Sequence, residues 1–466
     1  MNYHLISPRV DGQTISGFID IMFEKSIVMM GWGTDKPIGM SFSNIEKGDF
    51  VIVAQRVNWK FNYYFAGIVS SDSVYMEDGC QCRKIEHLID LRNTKKDFLG
   101  NASFAEARVI KALITINQFN NKEVIKQLDN IIYNRIDMEK YISILTNNKN
   151  LIFTGAPGTG KTYLAKQIAA QMILGCEYDE NNPEHKVKMD EQFDFVQFHP
   201  SFDYTDFVEG LRPVQDKQGN IGFKREDGIL MVFCRKALKA YNEAENKKDA
   251  PKYIFVIDEI NRGELSKIFG ELFFSIDPGY RGSKGKVKTQ YANLWKSDLD
   301  MFDGGRSFFI PKNVYIIGTM NDIDRSVESM DFAMRRRFAF VEVKVGTRVS
   351  MIEENEKLSG KAPEIIERMN NLNLCILKIQ GLNSAYQIGA SYFLKLGNYL
   401  DENGDLIESS WNSLWNNHLK GLLFEYLRGF PNADLDLNKL EKAYRLTDKY
   451  RKDVNGKIII EDNNNE

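Results

Sequence analysis

The most specific chemistry in this chain is written in eight consecutive residues. Gly155-Ala156-Pro157-Gly158-Thr159-Gly160-Lys161-Thr162 satisfies G-x-x-x-x-G-K-[ST]. In such a loop backbone N–H groups wrap a phosphate chain, the lysine neutralises the β/γ oxygens and the last hydroxyl can ligate Mg²⁺; Tyr163 follows at the start of the next helix and is grouped with it. Further on, the apolar run Tyr253-Ile254-Phe255-Val256-Ile257 ends in Asp258-Glu259. An acid pair closing a strand is more often a helix cap or salt-bridge partner. Beside a phosphate loop the two acids divide the work of hydrolysis, Asp258 holding the metal through its water shell and Glu259 orienting and deprotonating the attacking water. Thr319-Met320-Asn321 closes a third apolar run, and Asn321 is expected to help place that water. Arg335-Arg336-Arg337 end a predicted helix, where they either complement its C-terminal dipole or reach the nucleotide of a neighbouring subunit.

These groups need a scaffold that delivers them to one edge. Strand-like runs at 151–153, 195–198, 253–257, 314–318 and 338–343 alternate with helical stretches, which predicts a parallel α/β core over 139–345. A helical region follows over 346–466 and closes in a polar run. The first 92 residues are rich in short β-type runs such as Phe50-Val51-Ile52-Val53, broken by the turn signals Lys47-Gly48-Asp49 and Glu77-Asp78-Gly79. Between them, over 93–138, Val109, Leu113, Ile116, Val124, Leu128, Ile131 and Ile132 recur near every third or fourth residue, the spacing of linker helices.

The chain has 466 residues, 43% of them hydrophobic, with 61 Lys+Arg against 64 Asp+Glu. That excludes a disordered chain and leaves no global positive field, so any contact with nucleic acid must come from local patches. The five cysteines (Cys80, Cys82, Cys176, Cys234, Cys375) are odd in number and lack zinc spacing. No basic-then-apolar leader and no membrane-length apolar run is present, so a cytoplasmic protein without a membrane partner is expected.

The order of the motifs resembles the AAA+ superfamily. Three stretches, Phe198-His199-Pro200-Ser201-Phe202-Asp203-Tyr204-Thr205, Asp258-Glu259-Ile260-Asn261-Arg262-Gly263 and Gly318-Thr319-Met320-Asn321-Asp322-Ile323-Asp324-Arg325-Ser326, resemble the McrB-type motor subunits of modification-dependent restriction systems, and the similarity runs over 140–430. Asp322-Ile323 stands where small residues are more usual. The resemblance implies an AAA+ P-loop parallel sheet with a C-terminal helical lid. It also implies a homo-hexameric motor that uses Mg²⁺, hydrolyses GTP rather than ATP, and drives a separate McrC-type endonuclease subunit on DNA. Carried over by position, Asn321 and Asp324 belong to the water and sensor network, and Arg336 and Arg337 are the arginines acting in trans. An ATP-dependent protein-remodelling machine and a nucleotide-gated scaffold are the rival readings; intact Lys161, Asp258, Glu259 and Asn321 speak against the scaffold.

The wording of 45–53 and 66–69 looks like the small PUA-like β-barrels, EVE domains among them, that accept modified bases. Trp32, Trp59, Tyr63 and Tyr64 are the aromatics that could stack a flipped base, or else fill the barrel core. Residues 1–92 hold 9 Lys+Arg against 11 Asp+Glu, which weighs against strong phosphate binding. Cys80 and Cys82 read as strand residues. Lys284, Lys286 and Lys288 alternate as on one face of a hairpin, either solvated or touching DNA or the partner.

Overall fold

The computed structural model describes residues 3–6, 16–30, 42–57, 60–77, 80–92, 113–115, 137–215, 217, 219–295, 307–323, 332–445, 450–452 and 458–460. Its contacts divide the chain into two units, Met1–Lys140 and Tyr141–Glu466. Trp32, Trp59 and Asp324 lie outside the described residues, as does most of the expected linker.

In the first unit seven strands, β1 (Tyr3–Ile6), β2 (Ile27–Met30), β3 (Phe50–Val57), β4 (Lys60–Val69), β5 (Tyr75–Glu77), β6 (Cys80–Asp90) and β7 (Leu113–Thr115), form one sheet in the order β2-β6-β4-β3-β1-β7, with β5 on β6. Among the described residues of this sheet only β1 and β3 pair in parallel. No pairing joins β2 to β7 among the described residues. Ile6, Val51, Val53 and Phe65 from its strands build the core with Phe42. One expectation fails at β7: residues 113–115, placed in a linker helix by their spacing, pair antiparallel with β1. A leucine, an isoleucine and a threonine in succession suit a pleated edge, and the open edge of β1 outweighs the local period. Tyr63 is buried and Tyr64 packs half-buried against the core. The register of β4 on β3 shifts at this point, Val53 facing Phe65 and Ala54 facing Tyr63. Cys80 and Cys82 are buried on β6.

The second unit is built on five parallel strands, β8 (Asn150–Thr154), β9 (Phe193–Gln197), β12 (Tyr253–Asp258), β13 (Val314–Thr319) and β14 (Ala339–Glu342), in the order β14-β8-β13-β12-β9. β8, β12 and β13 are near-continuous apolar runs because helices cover both faces of such a sheet. Phe207, Phe233, Phe255 and Phe269 fill the core on one side through edge-to-face contacts. Residues after β14 form a helical body with its own core, in which Trp415 stacks on Tyr444 at 5.3 Å beside Leu372, Ile376 and Leu440. It is followed by two short paired strands, Tyr450–Lys452 and Ile458–Ile460.

An antiparallel hairpin, β10 (Glu209–Gln215) with β11 (Ile221–Asp227), interrupts the alternation between β9 and the helix Ile229–Glu243. Its root is electrostatic. Glu209, fully buried, accepts from Arg225 Nε at 2.5 Å, Trp295 Nε1 at 2.8 Å and the Tyr291 amide at 2.8 Å, while Arg225 lies over the Trp295 ring. The expected lysine hairpin is absent as a ladder among the described residues. A short 3₁₀ turn, Gly282–Gly285, leads to an isolated bridge of Val287 with Phe308, and Lys284, Lys286 and Lys288 are exposed around it.

Glu209→Ala leaves buried donors without their acceptor, and about 3–5 kcal/mol of stability is expected to go with it. Denaturant unfolding of the wild type and variant checks this; a loss below about 1 kcal/mol would show the root to be solvated.

Candidate active site

In an open parallel sheet the ends of the strands on the carboxyl side, around the point where strand order reverses, form the ligand crevice. Here β8 lies inside the sheet between β14 and β13, and its carboxyl end runs directly into the loop 155–160. Gly158 has φ +77°, and a side chain there would strike Tyr392. Lys161 opens the helix Lys161–Leu174 and folds its Nζ onto the carbonyls of Gly155, at 2.9 Å, and Ala156, at 2.8 Å. Burial pulls its pKa down to about 8, against the pull of Asp322, Glu259 and Asp258.

The acids arrive from the neighbouring strands. Asp258 ends β12, and its Oδ1 accepts from the hydroxyl of Thr162 at 2.7 Å and that of Thr319 at 2.5 Å. Thr319 ends β13 and in turn accepts from the Glu259 amide at 3.4 Å. Glu259 sits at φ +50°, a left-handed backbone that is costly for a residue with a side chain and is held here by its neighbours. Its Oε1 accepts from Asn321 Nδ2 at 2.8 Å, and its Oε2 lies 3.4 Å from Arg262 Nε. Thr162, Asp258, Thr319, Glu259 and Asn321 therefore form one chain of hydrogen bonds. The paired oxygens of Thr162 and Asp258 suit a hard cation that takes its other ligands from phosphate and water, as Mg²⁺ does. The metal would supply charge neutralisation. Glu259, aimed by Asn321 and Arg262, is the group placed to take a proton from a water in front of it.

Two groups enter the site that no sequence pattern marks as functional. Asp322 hydrogen-bonds the Gly155 amide and the Thr154 hydroxyl, and burial raises its pKa; in the sequence it stands out only as a departure from the usual small residue. The lid supplies the other: Gly389 donates its amide to the Pro157 carbonyl at 2.9 Å, and the Ser391 amide donates to Gly158 at 3.1 Å. A Cβ on Gly389 would sit 2.1 Å from the Gly158 carbonyl carbon, so the contact requires glycine. Thr319 belongs to a family-like stretch but carries a larger role than its position suggests, since a single hydroxyl links both acids.

The arginines are elsewhere. The Arg337 carbonyl accepts from Asn150 at the first residue of β8, the opposite end of the strand from the phosphate loop and roughly 15 Å away at the usual rise per residue. Its guanidinium donates to the Ala333 carbonyl and lies over Phe273, whereas Arg336 is exposed. Neither is brought to the chain's own loop.

Glu259→Gln is expected to keep nucleotide affinity within about twofold and lower turnover by about 10²–10⁴, the span of general-base catalysis; binding titration beside a phosphate-release assay checks both. Lys161 generates a pH test. Bound phosphates raise its pKa, so binding takes up a proton wherever free Lys161 is neutral. Affinity should be pH-independent in this respect below about 8 and fall as pH rises through that value, approaching tenfold per unit. Asp322→Asn removes an acid that supports the charged form and should move the break to lower pH.

Residues 150–338 match the family model of the AAA domain, dynein-related subfamily. Two curated relatives align with the chain. The type IV methyl-directed restriction enzyme EcoKMcrB subunit of Escherichia coli (strain K12) is 36% identical over 262 residues, 55% of this chain and 50% of that protein. The type II restriction enzyme BsuMI component YdiS of Bacillus subtilis (strain 168) is 27% identical over 225 residues, 44% of this chain and 59% of that protein. The chain thus spans between half and three fifths of these relatives' length. No helix among the described residues is long and apolar enough to cross a membrane. With the strand order, the phosphate loop and the acid pair in place, residues 150–338 form an AAA domain with an AAA+ fold, and this part of the chain is similar to the McrB subunit.

Proposed function

We propose that this protein is the GTP-hydrolysing motor of a restriction system: a homo-hexamer that engages DNA, reads a modified base and drives a McrC-type endonuclease supplied by a second chain. The observation that carries hydrolysis is the hydrogen-bonded chain from Thr162 through Asp258, Thr319 and Glu259 to Asn321, since a nucleotide-gated scaffold has no need of a water-activating acid held at both oxygens. Restriction is supported by what the two relatives are named for. The choice of guanine, like the partner nuclease, follows from likeness to the McrB-type subunits.

The ring is supported by position. Arginines at the amino end of the sheet cannot reach the loop at its carboxyl end within one subunit, and an adjacent subunit is the direct way to bring positive charge to a γ-phosphate. Arg336, exposed, is better placed to extend than Arg337, which is engaged within its own chain. Base reading belongs to the first unit in this scheme, with base contacts outweighing phosphate contacts because the segment is slightly acidic.

Turnover of GTP is expected to exceed that of ATP when the two are compared side by side, and an adjacent reading frame for a nuclease should accompany the gene. Arg336→Ala subunits, inactive alone, should regain hydrolysis when mixed with inactive Glu259→Gln subunits, because one mixed interface joins an intact loop to an intact arginine. Verified mixed rings with no recovery would remove the trans assignment, and faster ATP turnover would remove guanine.

A further inference from the structure

The strand order fixes which way a nucleotide must point. Asp258, Glu259 and Asn321 all belong to the β12/β13 side of β8, so the γ-phosphate end of the ligand lies there. The base end therefore faces the other neighbour of β8, which is β14. That strand is tied to the loop, the Val343 amide donating to Thr154 at 2.8 Å and the Val343 carbonyl closing over Gly155. The chain then continues through a short 3₁₀ turn, Val345–Arg348, toward the lid.

Arg348 stands at the end of that turn. It is 7% exposed, and its Cβ and Cγ lie within 4 Å of where a side chain on Gly160, the last loop glycine, would begin. Its guanidinium carbon is 5.2 Å from the centroid of the Tyr163 ring, an exposed aromatic directly after the loop. Glu354 feels its charge, yet Nε has no hydrogen-bond partner among the described residues. A buried guanidinium with an unmet donor is costly unless something completes it. Met351 closes the same wall, its Cε 3.0 Å from the point where a Cβ on Gly160 would sit.

We infer that Arg348, spread over Tyr163, reads the O6/N7 edge of the purine and is the residue that discriminates guanine from adenine. This rests on the guanine reading proposed above. Guanine offers two acceptors on that edge, which match the paired N–H donors of arginine, whereas adenine offers one acceptor and one N–H₂ donor that opposes them. Tyr163 holds the guanidinium plane and leaves its rim free to donate.

The test uses the full chain and the diphosphates GDP, inosine diphosphate and ADP, which are not turned over. Hypoxanthine keeps the O6/N7 edge of guanine and lacks only its 2-amino group. Arg348→Met keeps the length and the packing over Tyr163. It is expected to weaken GDP and inosine diphosphate alike by about tenfold to a hundredfold, the worth of one bidentate pair, and to leave ADP within about twofold. Retained ADP binding is the control for folding. Equal losses on all three would place Arg348 on phosphate or ribose and overturn the inference, as would no loss on GDP. If Arg348→Met does not fold, Arg348→Lys reads the same contrast, since lysine keeps the charge but cannot donate in parallel: a loss confined to GDP and inosine diphosphate supports the inference, and unchanged or uniform affinities overturn it. Wild-type protein that binds ADP at least as tightly as GDP would instead sink the guanine reading itself, a result visible before any variant is made.

Discussion

One carboxylate oxygen organises the active half of this molecule. Asp258 Oδ1 receives hydroxyls from two threonines, one on the helix after the phosphate loop and one at the end of β13. The three carboxyl ends around the crevice are thus joined through a single acceptor. The bond to Thr319 also positions Glu259, because the same hydroxyl accepts the Glu259 amide and so helps hold a backbone conformation that glutamate does not adopt freely. A metal held by Thr162 and Asp258 would compete with the hydrogen bond between them, and an adjustment of Asp258 would pass to Glu259 through the Thr319 hydroxyl.

At the other end of the same strand a side-chain amide does comparable work. Asn150, fully buried, donates to the carbonyls of Ile276 and Arg337, each at 2.8 Å, and accepts from Arg281. Burial lowers the pKa of Arg281 to about 10, and the Asn150 amide oxygen is an acceptor for its guanidinium there. The turn that carries Arg336 and Arg337 is consequently pinned to the first residue of β8, and the phosphate loop begins just past its last. Five residues of a central strand are stiff. A displacement of the arginine turn is therefore borne by the strand that ends in the chain's own phosphate loop.

What could be read from the sequence was what lies contiguous along it. The phosphate loop, the acid pair and the five core strands are local patterns, and the periodicity of 151–153 or 253–257 needs no partner to be visible. Arg348 belongs to no pattern; it matters because the strand order sets β14 beside β8, and strand order is not a local property. Thr319 differs from an ordinary strand-ending threonine only by having Asp258 across the ladder. The hairpin β10–β11 leaves little trace in the sequence because Pro213 weakens one strand and the apolar Ile221 and Phe223 are exposed, so burial does not impose the usual alternation. Leu113 to Thr115 mislead in the opposite sense, since three residues are too few for the helical spacing around them to outweigh an available sheet edge.

The lid touches the phosphate loop through backbone, and that choice has a mechanical consequence. Side chains bend, and a contact made by them absorbs small displacements. Gly389 meets Gly158 with no side chain on either residue, and the amides of Gly389 and Ser391 are bonded to loop carbonyls. Behind them stands the packed body around Trp415 and Tyr444, whose core is separate from that of the sheet. Close-packed interiors transmit displacement rather than dissipating it. A loop that shifts by a fraction of an ångström as phosphates come and go must either break those two hydrogen bonds or carry the lid with it. The second course costs little, because the lid has its own core to move on.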